Sequence, residues 1–220
     1  MARSTRRRLS RVERRLQLLG VARAIFASRG FEAASIEKIA QHAGVTKPVV
    51  YEHFGSKEGL HAAVVEREME ELVAHVVAGM SHGSARQRWE GAVAAFLGYV
   101  DTEPAGFAVL TRGAPFATGR RGLTRVIDDL AERIADTFTQ EFRRAGYPPR
   151  LAPIYANALL GSVTQVGQWW AEGGKVLSRD HVARHLAALG WMGLRHLPRS
   201  PARVAVTPSA GAGARSARSS

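Results

Sequence analysis

The sequence predicts an all-α protein in two parts, a small helix-turn-helix domain followed by a larger helical domain. Two observations carry this. Across the 220 residues, apolar positions recur at spacings of three and four, and strand-like alternation is scarce. Helix start and stop signals also fall where those runs begin and end, most densely in the stretch SIEKIAQHAGVTKPVVYEHFGSKEGL from Ser35 to Leu60.

The first helix is expected from about Ser10 to Ser28. Ser10 and Glu13 form a capping box, Leu16, Leu19, Ala22 and Phe26 supply the inner face, and Gly30 ends it. Ser35 caps a second helix whose apolar face is Ile36, Ile39, Ala40 and Ala43. Gly44 takes the left-handed turn position at low steric cost, and Val45 plugs the core between the helices. Thr46 caps the third helix, with Pro48 in its first turn. Val49, Val50 and Phe54 can face inward, while Lys47, Tyr51 and His53 point out. Ser56 caps a helix running to about Ala78, with Lys57 in its first turn and Leu60, Val64, Met69, Leu72 and Val76 inward. The acidic run Glu66, Glu68, Glu70 and Glu71 reads most simply as its solvated face.

Shape alone fits any helical hairpin, but charge points to DNA. The chain carries a formal charge of +12. Arg3, Arg6, Arg7, Arg8, Arg11, Arg14 and Arg15 precede the helix-turn-helix, opposed only by Glu13, which suits a flexible arm that neutralises phosphates. Taken alone, the arm also fits a solvated tail, a targeting signal or unspecific polyanion binding. There is no Cys, which fits a reducing compartment, and the start lacks the apolar core of a secretory signal.

Met80–Ser84 reads as a boundary. Further helices are expected near Ala85–Val100, Gly106–Gly113, Gly122–Ala145, Leu151–Ala171 and Ser178–Leu194, broken at Asp101–Pro104, Gly146–Pro149 and Glu172–Gly174. After Pro198 the composition predicts a disordered tail. Leu151–Ala171 has no charged residue and is long enough for a bilayer, but its spread of Pro, Asn, Ser, Thr and Gln argues for burial in protein. Gly161 and Gly167 would let a partner backbone approach it. In the next helix Val182, Leu186, Leu189 and Leu194 form one stripe.

No nucleophile elbow, P-loop or dinucleotide fingerprint appears, so neither enzyme nor cofactor is expected. His181 and His185 have the i, i+4 spacing of a metal pair, but no further ligand pattern accompanies them, and they read as surface or interface histidines.

The run from Val21 to Leu60 resembles the N-terminal domain of the tetracycline-repressor (TetR) family. The matching elements are Ala24 and Phe26 before Gly30-Phe31, Ser35-Ile36, Ile39-Ala40, Ala43-Gly44-Val45, Lys47, and Tyr51-x-His53-Phe54-x-Ser56-Lys57-Glu58. The resemblance implies a basic arm (1–9), a reading head (10–57), a connecting helix (58–84), a ligand-binding and dimerisation domain (85–197) and a tail (198–220).

It implies a cytoplasmic homodimeric repressor on a palindromic operator in double-stranded DNA. The half-sites would lie roughly 34–36 Å apart, and dimerisation would use helices 151–171 and 178–194. Lys47, Tyr51, His53, Lys57 and the arm residues Arg6, Arg7 and Arg8 are then phosphate contacts, and Gln41, Thr46, Pro48 and Val49 approach bases. The effector would be a small apolar or amphipathic, even lipid-like, molecule lined by Phe96, Tyr99, Phe107, Tyr155, Leu159 and Gln165. The alternatives are a constitutive DNA-binding protein and a regulator controlled by a protein partner.

Overall fold

The computed structural model describes residues 9–111, 131–173 except 133, 137, 141 and 145, and 176–195. Every regular element among them is helical. The elements are α1 (Arg11–Ala33), α2 (Ile36–Ala43), α3 (Lys47–Phe54), α4 (Lys57–Gly79), α5 (Ala85–Thr102) and α6 (Pro104–Thr111). The helical residues between 131 and 144 are α7, and a 3₁₀ turn (Pro149–Leu151) leads into α8 (Ala152–Glu172) and then α9 (Arg179–Arg195). The arm with Arg6, Arg7 and Arg8, the tail, Gly113 and the start of the helix expected from Gly122 lie outside the described residues.

The local signals work as the sequence suggests. Ser10 and Glu13 close a capping box on α1, and Gly30 interrupts it with φ 72°. Ser35 and Ser56 accept from Lys38 N and Gly59 N, and Ser84 closes a second capping box with Gln87. Thr46 is the N-cap of α3, but its hydroxyl makes no cap hydrogen bond. Gly44 sits in the left-handed region at φ 66°, so α2 stops there and α3 leaves at a new angle.

Helices α1, α2 and α3 fold over α4, whose Leu60 and Val64 meet Leu18, Phe26, Ile39 and Val50 in one core. That core continues without a break into α5, α6 and α9 through Met69, Leu97, Val100, Leu110 and Leu186. The chain therefore bridges its two parts with packed side chains as well as one connecting helix, because α1 packs on α6 and α4 packs on α5.

Several expectations are corrected. Leu16 is 51% exposed; Leu18 and Ile25 take the inner face of α1 with Leu19, Ala22 and Phe26. Glu68 is buried rather than solvated, because α1 and α5 close over that side of α4. Leu189 is exposed, and Ala183 and Ala187 join Val182 and Leu186 in the inner stripe of α9. A Cβ on Gly167 would strike the Phe96 ring, so that glycine serves packing within the chain. Gly161 faces open space. No single described helix is long and apolar enough to cross a membrane.

Candidate nucleic-acid interface and effector cavity

The outward face of α3 is built by its short length and by one anchor. Val50 is fully buried, which turns Thr46, Lys47, Pro48 and Tyr51 to solvent. Gln41 is exposed at the end of α2, while Val49, His53 and Lys57 are half-buried. Lys47 forms an ion pair with Glu37 of α2, so its charge is shared before any phosphate arrives. Lys57 donates to the Glu32 carbonyl at 3.1 Å and lies 4.5 Å over the Phe31 ring, which ties α4 to the end of α1.

Two residues that brace the helix-turn-helix are not given that role by the sequence, which places Arg15 in the basic arm. Arg15 donates to the His53 carbonyl at 3.0 Å and stacks 4.5 Å over Phe54. It pins the C-terminus of α3 instead of extending the basic arm. Gln17 donates to the Ala43 carbonyl at 3.2 Å and satisfies the end of α2. They lie two apart on α1, a spacing that the helical period does not group, and their partners lie 38 and 26 residues on, so only the fold reveals them.

Beneath the head lies a buried polar cluster. Arg23 Nε of α1 sits 2.9 Å from Glu68 Oε2 of α4, as an ion pair rather than a hydrogen bond. Arg23 Nη2 reaches Glu103 Oε2, between α5 and α6, at 2.5 Å. The Tyr99 hydroxyl donates to Glu68 Oε2 at 3.1 Å. Burial, only partly offset by Arg23, pushes the Glu68 carboxyl above the usual carboxylate range. Burial first, and then the Glu68 charge, hold the Tyr99 hydroxyl protonated well beyond its ordinary range. His61 packs edge-on to Phe26 and Phe31 at 4.9 and 5.0 Å, and that burial lowers its pKa.

A cavity of about 450 Å³ lies where α1, α6 and α8 meet. Ala24, Ala27 and Ser28 of α1 face Pro104, Ala105, Phe107, Ala108 and Thr111, with Gln168, Ala171 and Glu172 of α8 at the side. Of the six expected ligand contacts, only Phe107 lines it. Phe96 packs edge-on to Phe107 at 6.0 Å. Tyr99 is sealed against Glu68, and Tyr155 packs edge-on to Phe142 at 5.5 Å. Leu159 is half-buried beside Gly190, and Gln165 is exposed on the outer side of α8. His181 and His185 lie with tilted rings 4.5 Å apart on the exposed face of α9, and among the described residues no third ligand joins them.

A short helix presented by a buried scaffold, joined through a continuous core to a helical sensor-sized domain, defines a helix-turn-helix regulator. Residues 18–64 match the model of the bacterial regulatory proteins of the tetR family, and residues 85–193 match the tetracyclin repressor-like C-terminal domain. The transcriptional activator FasR of Mycolicibacterium smegmatis is 30% identical over 192 residues, 87% of each chain. The transcriptional repressor KstR2 of Rhodococcus jostii is 36% identical over 59 residues, 27% of this chain and 29% of that one.

A TetR-like regulator from Rhodococcus superposes with a TM-score of 0.69 at 28% identity, covering 86% of this chain and all of that one. FadR of Bacillus subtilis, solved with stearoyl-CoA, superposes at 0.69 with 13% identity, 80% of this chain and 96% of that one, which speaks for the fold alone. The chain belongs to the TetR family of bacterial transcriptional regulators.

Proposed function

We infer that the protein is a homodimeric, effector-responsive regulator that grips a palindromic operator with one α3 per protomer. The observation that carries this is the single anchored face of α3: Val50 inward, and Thr46, Lys47, Pro48 and Tyr51 outward in the orientation a major groove requires. Lys47, Tyr51, His53 and Lys57 hold phosphates, and Gln41, Thr46, Pro48 and Val49 approach base edges. The unbonded Thr46 hydroxyl is free for a base or phosphate.

Dimerisation is supported by Ile154 and Trp169 on α8 and Leu189 and Met192 on α9, each of which is more than half exposed in one protomer. Two copies of that pair would bury them as a four-helix bundle. An apolar or amphipathic effector is supported by the cavity, which lies within the usual size of ligand sites. Such a regulator acts where the genome is, in the cytoplasm.

Repression follows if the operator overlaps a promoter. Activation is a second reading, favoured because the relative aligned over 87% of both chains is an activator. Selection of genomic fragments by the purified protein tests the DNA reading: Lys47→Ala and Tyr51→Ala should weaken binding to every selected fragment. Wild-type-like binding by both variants would remove α3 from the interface. Effector and operator must weaken or strengthen one another by the same factor, and independence of the two affinities would remove the sensor half.

A further inference from the structure

The start of α1 holds the far ends of both helices of the helix-turn-helix. Arg15 Nη1 donates to the His53 carbonyl at 3.0 Å, in the last turn of α3, and the guanidinium lies 4.5 Å over the Phe54 ring. Gln17 Nε2 donates to the carbonyl of Ala43, the last residue of α2, at 3.2 Å. Arg14 Nη1 donates to Gln17 Oε1 at 2.7 Å and so orients the amide. Both carbonyls sit at helix C-termini, where the helix itself supplies no amide and its dipole favours a nearby cation.

The other end of α3 is tied by the Lys47–Glu37 ion pair to the first turn of α2. Lys47 and Arg15 therefore fix α3 at its two ends, and Gln17 fixes α2 next to Gly44, the left-handed residue that sets the angle between the helices. The eight residues of α3 make about 12 Å of helix. A tilt of about 10° moves one end about 2 Å against the other, beyond the ~0.5 Å within which a recognition group must be held. Phosphates repeat along the duplex, so long cationic side chains re-seat after such a tilt, whereas contacts to particular base edges are lost.

Resting on the reading of α3 as the recognition helix, we propose that Arg15 and Gln17 are positioning residues for operator specificity. They hold α3 and the turn before it at the one angle where base and phosphate contacts form together. Neither needs to touch DNA. Arg15, one of the arginines that the sequence places in the phosphate-binding arm, acts instead through the His53 carbonyl and the Phe54 ring. Losing either brace leaves unspecific binding in place and removes discrimination between sequences.

The test uses the full chain, a genomic fragment selected by the wild-type protein and a scrambled duplex of equal length. Arg15→Met keeps the aliphatic stem and removes the donor, and Gln17→Met removes a donor without changing the charge. Each should lower the ratio of the two affinities at least about fivefold, the cost of one misplaced base contact. Affinity for the scrambled duplex should stay within about twofold, and the salt slope should be unchanged. Arg15→Lys, which keeps the charge and a donor, should recover part of the ratio. A general loss of folding would lower both affinities together and would not move their ratio.

Equal weakening on both duplexes by Arg15→Met, with the salt slope lower by about one, would make Arg15 a phosphate contact and overturn its assignment. An unchanged ratio in Arg15→Met or Gln17→Met would overturn the role of that residue. Failure of the wild-type protein to select any fragment would sink the recognition-helix reading and this assignment with it, a result visible before any variant is made.

Discussion

Arg23→Met tests whether the cluster beneath the reading head holds the two parts of the chain together. Methionine keeps the aliphatic length and removes the guanidinium. Glu68, 1% exposed, then keeps only the Tyr99 hydroxyl among its cluster partners. Breaking a buried pair by removing one partner costs about 3–5 kcal/mol when the remaining charge cannot escape. Here it can escape by taking up a proton. From the ordinary carboxylate pKa of 4.5, neutralisation at pH 7 costs at most about 3.4 kcal/mol at 1.36 kcal/mol per pH unit, and less because burial has already raised the pKa.

The bond to Glu103 is partly solvated, with both side chains at least a quarter exposed, and adds about 0–1 kcal/mol. The expected loss is therefore about 2–3 kcal/mol at pH 7. It should fall below about 1 kcal/mol near pH 5, where protonating Glu68 is nearly free. Urea denaturation followed by circular dichroism at both pH values measures it. The companion Arg23→Met with Glu68→Met, which leaves no buried charge, should recover most of the loss. A loss under 1 kcal/mol at pH 7, an equal loss at both pH values, or a double variant as unstable as the two singles combined would refute the reasoning.

Other expectations concern the head and the outer faces. Glu37→Gln releases Lys47 from its ion pair, so DNA affinity should rise about two- to fivefold at low salt; unchanged filter binding would mean the pair does not compete with phosphate. His61 has a lowered pKa in the folded state, so its contribution is fully present above about 6.5 and is lost as pH falls from there toward the folded value. Stability measured between pH 7 and 5.5 should therefore fall less steeply in His61→Phe, which keeps an aromatic ring beside Phe26 and Phe31. This slope opposes that of Glu68, whose raised pKa favours the fold at low pH, so the variant isolates it. Leu189→Asp with Met192→Asp should shift sedimentation to a monomer without unfolding the chain, because both side chains are more than half exposed within one protomer; a persistent dimer would place the interface elsewhere.

Local chemistry made the reading head legible. Ser35, Gly44 and Ser56 mark helix boundaries through interactions spanning three or four residues, and the buried set Ile36, Ile39, Ala40 and Ala43 follows directly from the helical period. The same logic placed α4, α5, α8 and α9 within a few residues. It failed where a face has two candidate neighbours. Leu16 and Leu18 are equally apolar, and only the angle of α1 across α2 and α4 chose Leu18. Gln165 looked like a pocket residue from composition, but the rotation of α8 turns it outward.

By itself, the sequence determined the helical class, the helix-turn-helix and most of the residues on the outward face of α3, because capping, periodicity and turn conformation are set by near neighbours. The tertiary structure decided which charges are buried, that Arg15 and Gln17 brace the head, and that a cavity opens between α1 and α6. Arg23, Glu68 and Glu103 read as three unrelated surface charges until helices from distant parts of the chain exclude water between them. The desolvation that makes the cluster matter exists only once those helices have packed.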